Sequence, residues 1–276
     1  MLKRVYVEIT NICNLSCAFC PGTRRAPRMM SAAEFELIAD RLRGHTRFVY
    51  LHVLGEPLLN PELCEMLRAA QRRSLRTVIT TNGTLLRERG GEMLACPGLH
   101  RVNISLQSFE GNGMTGGLEE YLADCAGFAR RASREGVFCS LRLWNGGGAD
   151  SRNGEIVEAL HAHFPGPWRE CDRNVMLAPG VFLETAEEFE WPDLSARDGG
   201  GSVFCHGVRS QLGILCDGTV TPCCLDHEGD IALGNIFDEG IDEILASPRA
   251  AAMRRGFERR QASEELCRRC GYARRF

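Results

Sequence analysis

No apolar run in this chain approaches the ~20 residues that a membrane-crossing helix needs. Met1-Leu2-Lys3-Arg4 leads straight into a strand-like segment, without the apolar core of a signal peptide. Membrane insertion and export are therefore not expected; the cytoplasm is. An excess of positive charge is missing as well. The chain carries 33 basic and 36 acidic residues for a formal net charge of -3, whereas phosphate-binding surfaces are usually basic. Nucleic acid is not an expected partner. Basic residues gather only locally, at Arg24, Arg25 and Arg28 and at Arg254, Arg255, Arg259 and Arg260, and both runs read as solvated faces. Apolar residues at 44% and charged ones at 25% are ordinary globular values. A length of 276 residues supports one large domain, or one plus a smaller one.

Cysteine is what the chain has in quantity, 14 residues in all. Three of them, Cys13, Cys17 and Cys20, form a CxxxCxxC array in Thr10-Asn11-Ile12-Cys13-Asn14-Leu15-Ser16-Cys17-Ala18-Phe19-Cys20. A zinc site would show a second Cys or His pair nearby, which this stretch lacks. A disulfide framework would need an oxidising compartment and a small, weakly cored chain. Three soft thiolates at this spacing instead suit three corners of a four-iron cluster and leave the fourth iron without a protein ligand. An open iron can bind a substrate or cofactor.

Strand-like and helix-like segments alternate at about thirty residues per unit, the period of βαβ architecture. Strands are expected over residues 4–10, 47–53, 75–80, 101–106 and 137–143, with a sixth at 174–178. Helices are expected from Ser31, over 61–73, 85–95, 118–135 and 154–164. Ser31 and Glu34 make a capping box, and Phe35, Leu37, Ile38 and Leu42 supply that helix's buried side. Five or six units do not close an eight-fold barrel, so an open α/β barrel of the partial (β/α)6 type is expected. Ligands in such folds bind at the C-terminal ends of the strands, where the cysteine loop lies. The expected division is 1–178 for the barrel, 179–204 for an acidic linker ending in Gly199-Gly200-Gly201, and 205–276 for a Cys-rich α+β module.

After the second strand comes Leu54-Gly55-Glu56-Pro57. Together with Cys13, Cys17 and Cys20 this resembles the signature of the radical S-adenosylmethionine (SAM) superfamily, whose members carry Gly-Gly-Glu-Pro at that place. Leu54 departs from the pattern; Gly55, Glu56 and Pro57 keep it. The resemblance implies a SAM-binding 4Fe-4S cluster on the three cysteines. It implies that the backbone and carboxylate of Gly55, Glu56 and Pro57 meet the amino group of SAM, and that Phe19 lies against the adenine. Asn82 in Thr81-Asn82-Gly83, Ser105, Gln107 and Arg142 end or line later strands, where relatives touch the ribose or carboxylate. Gly111-Asn112-Gly113-Met114-Thr115-Gly116 also matches a dinucleotide fingerprint, but it follows the fourth strand, not the first, and reads as a flexible loop.

In the C-terminal module, Asp217-Gly218 between apolar alternations signals a two-residue hairpin. A helix is expected over 241–254, and the chain closes on Cys267-Arg268-Arg269-Cys270. The module resembles the SPASM/twitch extension of radical SAM enzymes, in its shorter twitch form. That resemblance implies one auxiliary 4Fe-4S cluster on Cys205, Cys223, Cys267 and Cys270, with Cys223 chosen over Cys224. A four-cysteine zinc site is the alternative for this module. Cys64, Cys96, Cys125 and Cys139 read as small core residues.

The resemblance as a whole implies reductive cleavage of SAM to a 5′-deoxyadenosyl radical and removal of a hydrogen atom from a bound substrate. The architecture is similar to twitch-type dehydrogenases that oxidise an alcohol on an aminocyclitol, so a net oxidation assisted by the auxiliary cluster is expected. Modification of a peptide or protein is the alternative within the enzyme class, and a non-catalytic iron–sulfur or zinc protein the alternative outside it. A small-molecule or peptide substrate and an electron donor such as flavodoxin or ferredoxin are the expected partners. No catalytic base is assigned; Arg142 and the acidic 179–204 stretch are the candidates.

Overall fold

β-Branched residues on alternate positions make Arg4–Val7 a strand, β1, which buries Val5 and Val7 against the helices and turns Tyr6 the other way. The computed structural model of the chain describes every residue except Thr115, Arg173, Gly201 and Phe276. After β1 the chain alternates α1 (Ala32–Leu42), β2 (Phe48–Tyr50), α2 (Leu63–Arg72), β3 (Arg76–Thr81), α3 (Leu86–Leu94), β4 (Leu99–Ser105), α4 (Ser108–Gly111), α5 (Leu118–Arg134), β5 (Phe138–Gly146) and α6 (Asn153–His163). Ser31 caps α1 with Glu34 reciprocating, as expected. Phe35, Ile38, Ala39 and Leu42 are its buried face; Leu37 lies on the exposed side.

The sixth parallel strand differs from expectation. Residues 174–178 do form a strand, β7 (Asn174–Ala178), but it runs antiparallel between β6 (Arg169–Cys171) and β8 (Val181–Glu187). β8 pairs parallel with β5 and completes the six-strand open barrel. The first part of the expected linker, Val181–Glu187, is therefore a barrel strand. The local cause is Pro179-Gly180, a tight turn with Gly180 at φ +74 that reverses β7 into β8.

The C-terminal module does not stand apart either. β9 (Gln211–Ile214) pairs parallel with β1 over Arg4↔Gln211 to Val7↔Ile214, so a single sheet passes through both parts. β10 (Thr219–Thr221) and β11 (Gly234–Asn235) extend it antiparallel. The β9–β10 hairpin has a three-residue loop, Cys216 to Gly218: Leu215 N–H donates to Thr219 O at 2.9 Å and Gly218 takes φ +86. The single late helix is two, α7 (Ile241–Ala246) and α8 (Pro248–Glu258), because Pro248 lacks the N–H to continue a helix and starts one, capped by Ser247. α9 (Glu265–Arg268) carries Cys267. Among the described residues no helix is long and apolar enough to cross a membrane.

Candidate cofactor and substrate site

The cysteine loop is pinned from several directions. Asn14 Nδ2 donates to Thr84 Oγ1 at 2.9 Å, and Asn82 Nδ2 donates to Asn14 Oδ1 at 2.9 Å and reaches Cys13 Sγ at 3.9 Å. On the other side Ser16 N–H donates to Asn112 Oδ1 at 2.8 Å and Ala18 N–H to Gly111 O at 2.6 Å. The glycine-rich stretch thus buttresses the loop; its Thr115 lies outside the described residues. Gly111 is required where it stands, since a Cβ there would lie 2.4 Å from the Phe19 ring. Cys13 and Cys20 are exposed and Cys17 half-buried. Burial, then the neighbouring Cys13 and Cys20, pushes the Cys17 thiol up to about 12. Thiols held that close suit a cationic metal core, which deprotonates its thiol ligands outright. The donor set therefore fits the cluster.

The Gly-Glu-Pro turn packs directly on that loop. Gly55 sits at φ +75, where a Cβ would meet Thr10 O at 2.3 Å, and Glu56 N–H donates to Ile12 O at 2.9 Å. The Glu56 carboxylate is turned inward and is 1% exposed. It accepts from Leu58 N–H at 3.0 Å and Asn82 N–H at 2.7 Å, and Pro57 opens the short turn it caps. The carboxylate thus joins the loops after β2 and β3. Tyr121 donates its hydroxyl to Asn82 O at 2.7 Å, and Ser108 Oγ bridges to Asn82 O and Ser105 O at 3.3 and 2.6 Å. Cys13, Cys17, Cys20, Phe19, Gly55, Glu56, Asn82 and Ser105 are thus brought together.

Arg142 is not part of that cluster. Its Nε donates to Glu184 Oε2 at 2.9 Å inside the barrel, and its guanidinium lies 4.3 Å from the centre of the Trp144 ring. Glu184 also accepts from Ser140 Oγ at 2.8 Å and pairs with Arg101 at 3.6 Å. A second polar layer on the same concave face joins His52, Thr80 and Asn103: Asn103 Nδ2 donates to Thr80 Oγ1 at 3.1 Å, and His52 Nε2 is 3.3 Å from that oxygen. His52 Nδ1, Arg101 Nε, Asn103 Oδ1 and Gln107 Oε1 are closed off and lack a partner. Each such atom costs about 1–3 kcal/mol.

Burial, with the Arg142 charge second, lowers the His52 pKa from 6.5 to about 3. The unfolded chain therefore takes up a proton below about pH 6.5 that the folded chain refuses. Stability attributable to this residue is intact above 6.5 and falls as the pH drops toward 3. A His52→Gln variant is expected to flatten that part of the acid limb, read by urea unfolding between pH 7 and 4.

Arg25, expected on a solvated face, is half-buried. Its guanidinium binds the fully buried Glu8 carboxylate with two bonds of 2.7 Å. The same carboxylate accepts Leu54 N–H at 3.3 Å and Cys216 N–H at 3.2 Å. A charge in the apolar run of β1 and its extension was the visible signal; its partner, seventeen residues on, was not. Trp191, from the expected linker, also reaches the site and donates Nε1–H to Phe19 O at 3.0 Å. Beside it a cleft of about 490 Å³ is bounded by Phe19, Cys20, Gly146 to Gly148 and Glu187 to Trp191.

At the far side of β1, Cys205, Cys223, Cys267 and Cys270 line one apolar chamber with Phe257 and Leu266. Burial raises the Cys223 thiol well above its ordinary value, and Cys224, Cys205 and Cys267 add to this. Cys224 turns away toward Tyr6, and Cys216 lies by Arg25. Among the described residues no three His, Cys, Asp or Glu side chains close tightly enough to hold a single metal ion. Cys64, Cys96, Cys125 and Cys139 are core residues as expected.

The signature of the Radical SAM superfamily matches residues 7–189, more than half of the chain. The chain belongs to the radical SAM superfamily. The SPASM iron–sulfur cluster-binding domain matches residues 205–271. Its cofactors are a 4Fe-4S cluster and SAM in the barrel, and auxiliary iron–sulfur chemistry in the SPASM part. Among curated relatives, a probable GTP 3′,8-cyclase of Methanocaldococcus jannaschii is 33% identical over 39% of this chain and 37% of its own. The chain thus spans little more than a third of the length of such relatives. PqqA peptide cyclase of Gluconobacter oxydans is 26% identical over 86% of this chain and 74% of its own. Of the solved structures, BtrN in complex with AdoMet and 2-DOIA has a TM-score of 0.59 at 17% identity, covering 98% of this chain and 93% of that one. That likeness is one of fold.

Proposed function

We propose that this chain removes a hydrogen atom from a substrate held in the barrel lumen and completes a net oxidation with the help of the C-terminal cluster. The observation that supports it is the presence of two thiol sets on parts of the chain joined by one sheet: Cys13, Cys17 and Cys20 on the loop after β1, and Cys205, Cys223, Cys267 and Cys270 around an apolar chamber in the C-terminal part. When bound, the first cluster supplies the electron that cleaves SAM, delivered by a donor such as flavodoxin or ferredoxin.

The chain's own residues do the rest. The Asn14, Asn82 and Asn112 side chains and the Gly111 carbonyl fix the loop. Phe19 walls the neighbouring cleft, with Trp191 holding its backbone, and would lie against the adenine. Ser105 and the backbone of Gly55 to Pro57 are the remaining SAM contacts proposed; Arg142, paired with Glu184, faces the substrate instead. Four thiols give the auxiliary cluster a complete ligand set, suited to accepting an electron.

A second reading, modification of a peptide, is favoured by the relationship to PqqA peptide cyclase, which runs through both parts of the chain. Oxygen-free reconstitution tests the class of activity. About eight irons per chain and 5′-deoxyadenosine formed under reductant are expected. Stoichiometric zinc in the C-terminal part, or no SAM cleavage, would refute the proposal.

A further inference from the structure

Two buried thiols outside both cysteine sets meet between α2 and the end of α3. Cys64, in the first turn of α2, is 3% exposed, and Cys96, just past α3, is 4% exposed. Their Sγ atoms share one acceptor, the Glu92 carbonyl oxygen, at 3.7 and 3.3 Å. The two sulfurs are also in hydrogen-bond contact with each other. Their surroundings hold them there. Gly98 lies so close to α2 that a Cβ on it would stand 2.8 Å from Leu67 O. Cys125, buried as deeply, has Tyr121 and not a cysteine as its hydrogen-bond partner.

We infer that Cys64 and Cys96 form a reversible disulfide under peroxide, a redox-responsive site separate from either cluster. The shared carbonyl holds both sulfurs on one side, from which they close to the S–S length of about 2.05 Å. The reaction balances in two steps. The Cys96 sulfur attacks hydrogen peroxide and the O–O bond breaks, leaving a sulfenic acid and one water. Cys64 then attacks that sulfur; the S–S bond forms, and the sulfenic hydroxyl leaves with the Cys64 proton as a second water. The sulfurs lose two electrons and peroxide gains them. Cys96 meets the oxidant first, because exposed Ala95 and Pro97 flank it. Burial, then the Cys96 sulfur, pushes the Cys64 thiol up to about 12, so Cys64 keeps its proton until the second step. The bond ties α2, behind the Gly55-Glu56-Pro57 turn, to the end of α3, behind the Asn82 loop, the same two loops that Glu56 joins. It therefore restrains the cofactor side of the barrel under the conditions that threaten iron–sulfur clusters.

The test treats the holoenzyme, prepared without oxygen, with hydrogen peroxide equimolar to the chain. Free thiols are then blocked in denaturant and peptides mapped without reduction. A linked Cys64–Cys96 peptide that disappears with dithiothreitol is expected, with Cys125 and Cys139 recovered as blocked thiols. The oxidised protein should unfold at higher urea than the reduced one, because the bond closes a loop in the unfolded chain; Cys64→Ala should abolish that shift. Dimedone should label Cys96 in Cys64→Ala, where the sulfenic acid is stranded, and leave Cys64 unlabelled in Cys96→Ala. Recovery of Cys64 and Cys96 as free thiols while the exposed Cys171 is oxidised would overturn the inference. So would either of them linked mainly to another cysteine, or Cys64 labelled as readily as Cys96.

Discussion

Replacing Cys17 by alanine is expected to remove SAM cleavage altogether and to halve the iron content. Cys17 is the middle donor of the loop, half-buried with its Sγ 3.8 Å from Ser108 O. Two remaining thiolates do not secure a cluster of four irons, so about four irons per chain should persist, those of the auxiliary site. The fold should survive, because the loop's shorter hydrogen bonds run through Asn14, Ser16 and Ala18, and the Cys17 side chain adds only its long contact to Ser108 O. The measurement is iron per chain with 5′-deoxyadenosine after reduction. A Cys17→Ala protein that keeps all its iron and still forms 5′-deoxyadenosine would remove the basis for the site.

The largest loss of stability is expected from Glu8→Gln. The carboxylate is fully buried and holds four groups at once: two guanidinium nitrogens and the amides of Leu54 and Cys216. Substitution leaves the Arg25 charge in a pocket where its side chain is only 14% exposed. Breaking a buried pair this way costs about 3–5 kcal/mol, far more than a surface ion pair is worth. Burial acts against the Arg25 charge, and Glu8 overcomes it to raise the guanidinium pKa, which shows the dependence of one on the other. Denaturant unfolding should show the loss. The double variant Glu8→Gln/Arg25→Met should recover a good part of it, since an apolar pair strands no charge. A Glu8→Gln protein within 1 kcal/mol of wild type, a bound of about a fivefold change, would contradict this account.

Much of the barrel could be read in advance because its signals are local. The Ser31–Glu34 box, the Gly55-Glu56-Pro57 turn and the cysteine spacing each specify geometry within a few residues. Cys223 lines the chamber while Cys224 turns toward Tyr6, since successive residues of an extended chain face opposite ways. The pairing of β8 with β5 and of β9 with β1 was hidden, since strand neighbours are set by tertiary packing. The same holds for Arg25 on Glu8 and for Trp191 on Phe19, which join positions 17 and 172 residues apart. The stretch around Gly111 read only as a flexible loop, whereas Gly111 supplies room beside the Phe19 ring.

The register of Gln211–Ile214 against Arg4–Val7 has a bearing on biosynthesis. Until the ribosome has released the final quarter of the polypeptide, the first strand has a raw edge, open to wrong partners. The residues that fix the cysteine loop all precede Gln211–Ile214, so the cradle is made before the edge of β1 is covered.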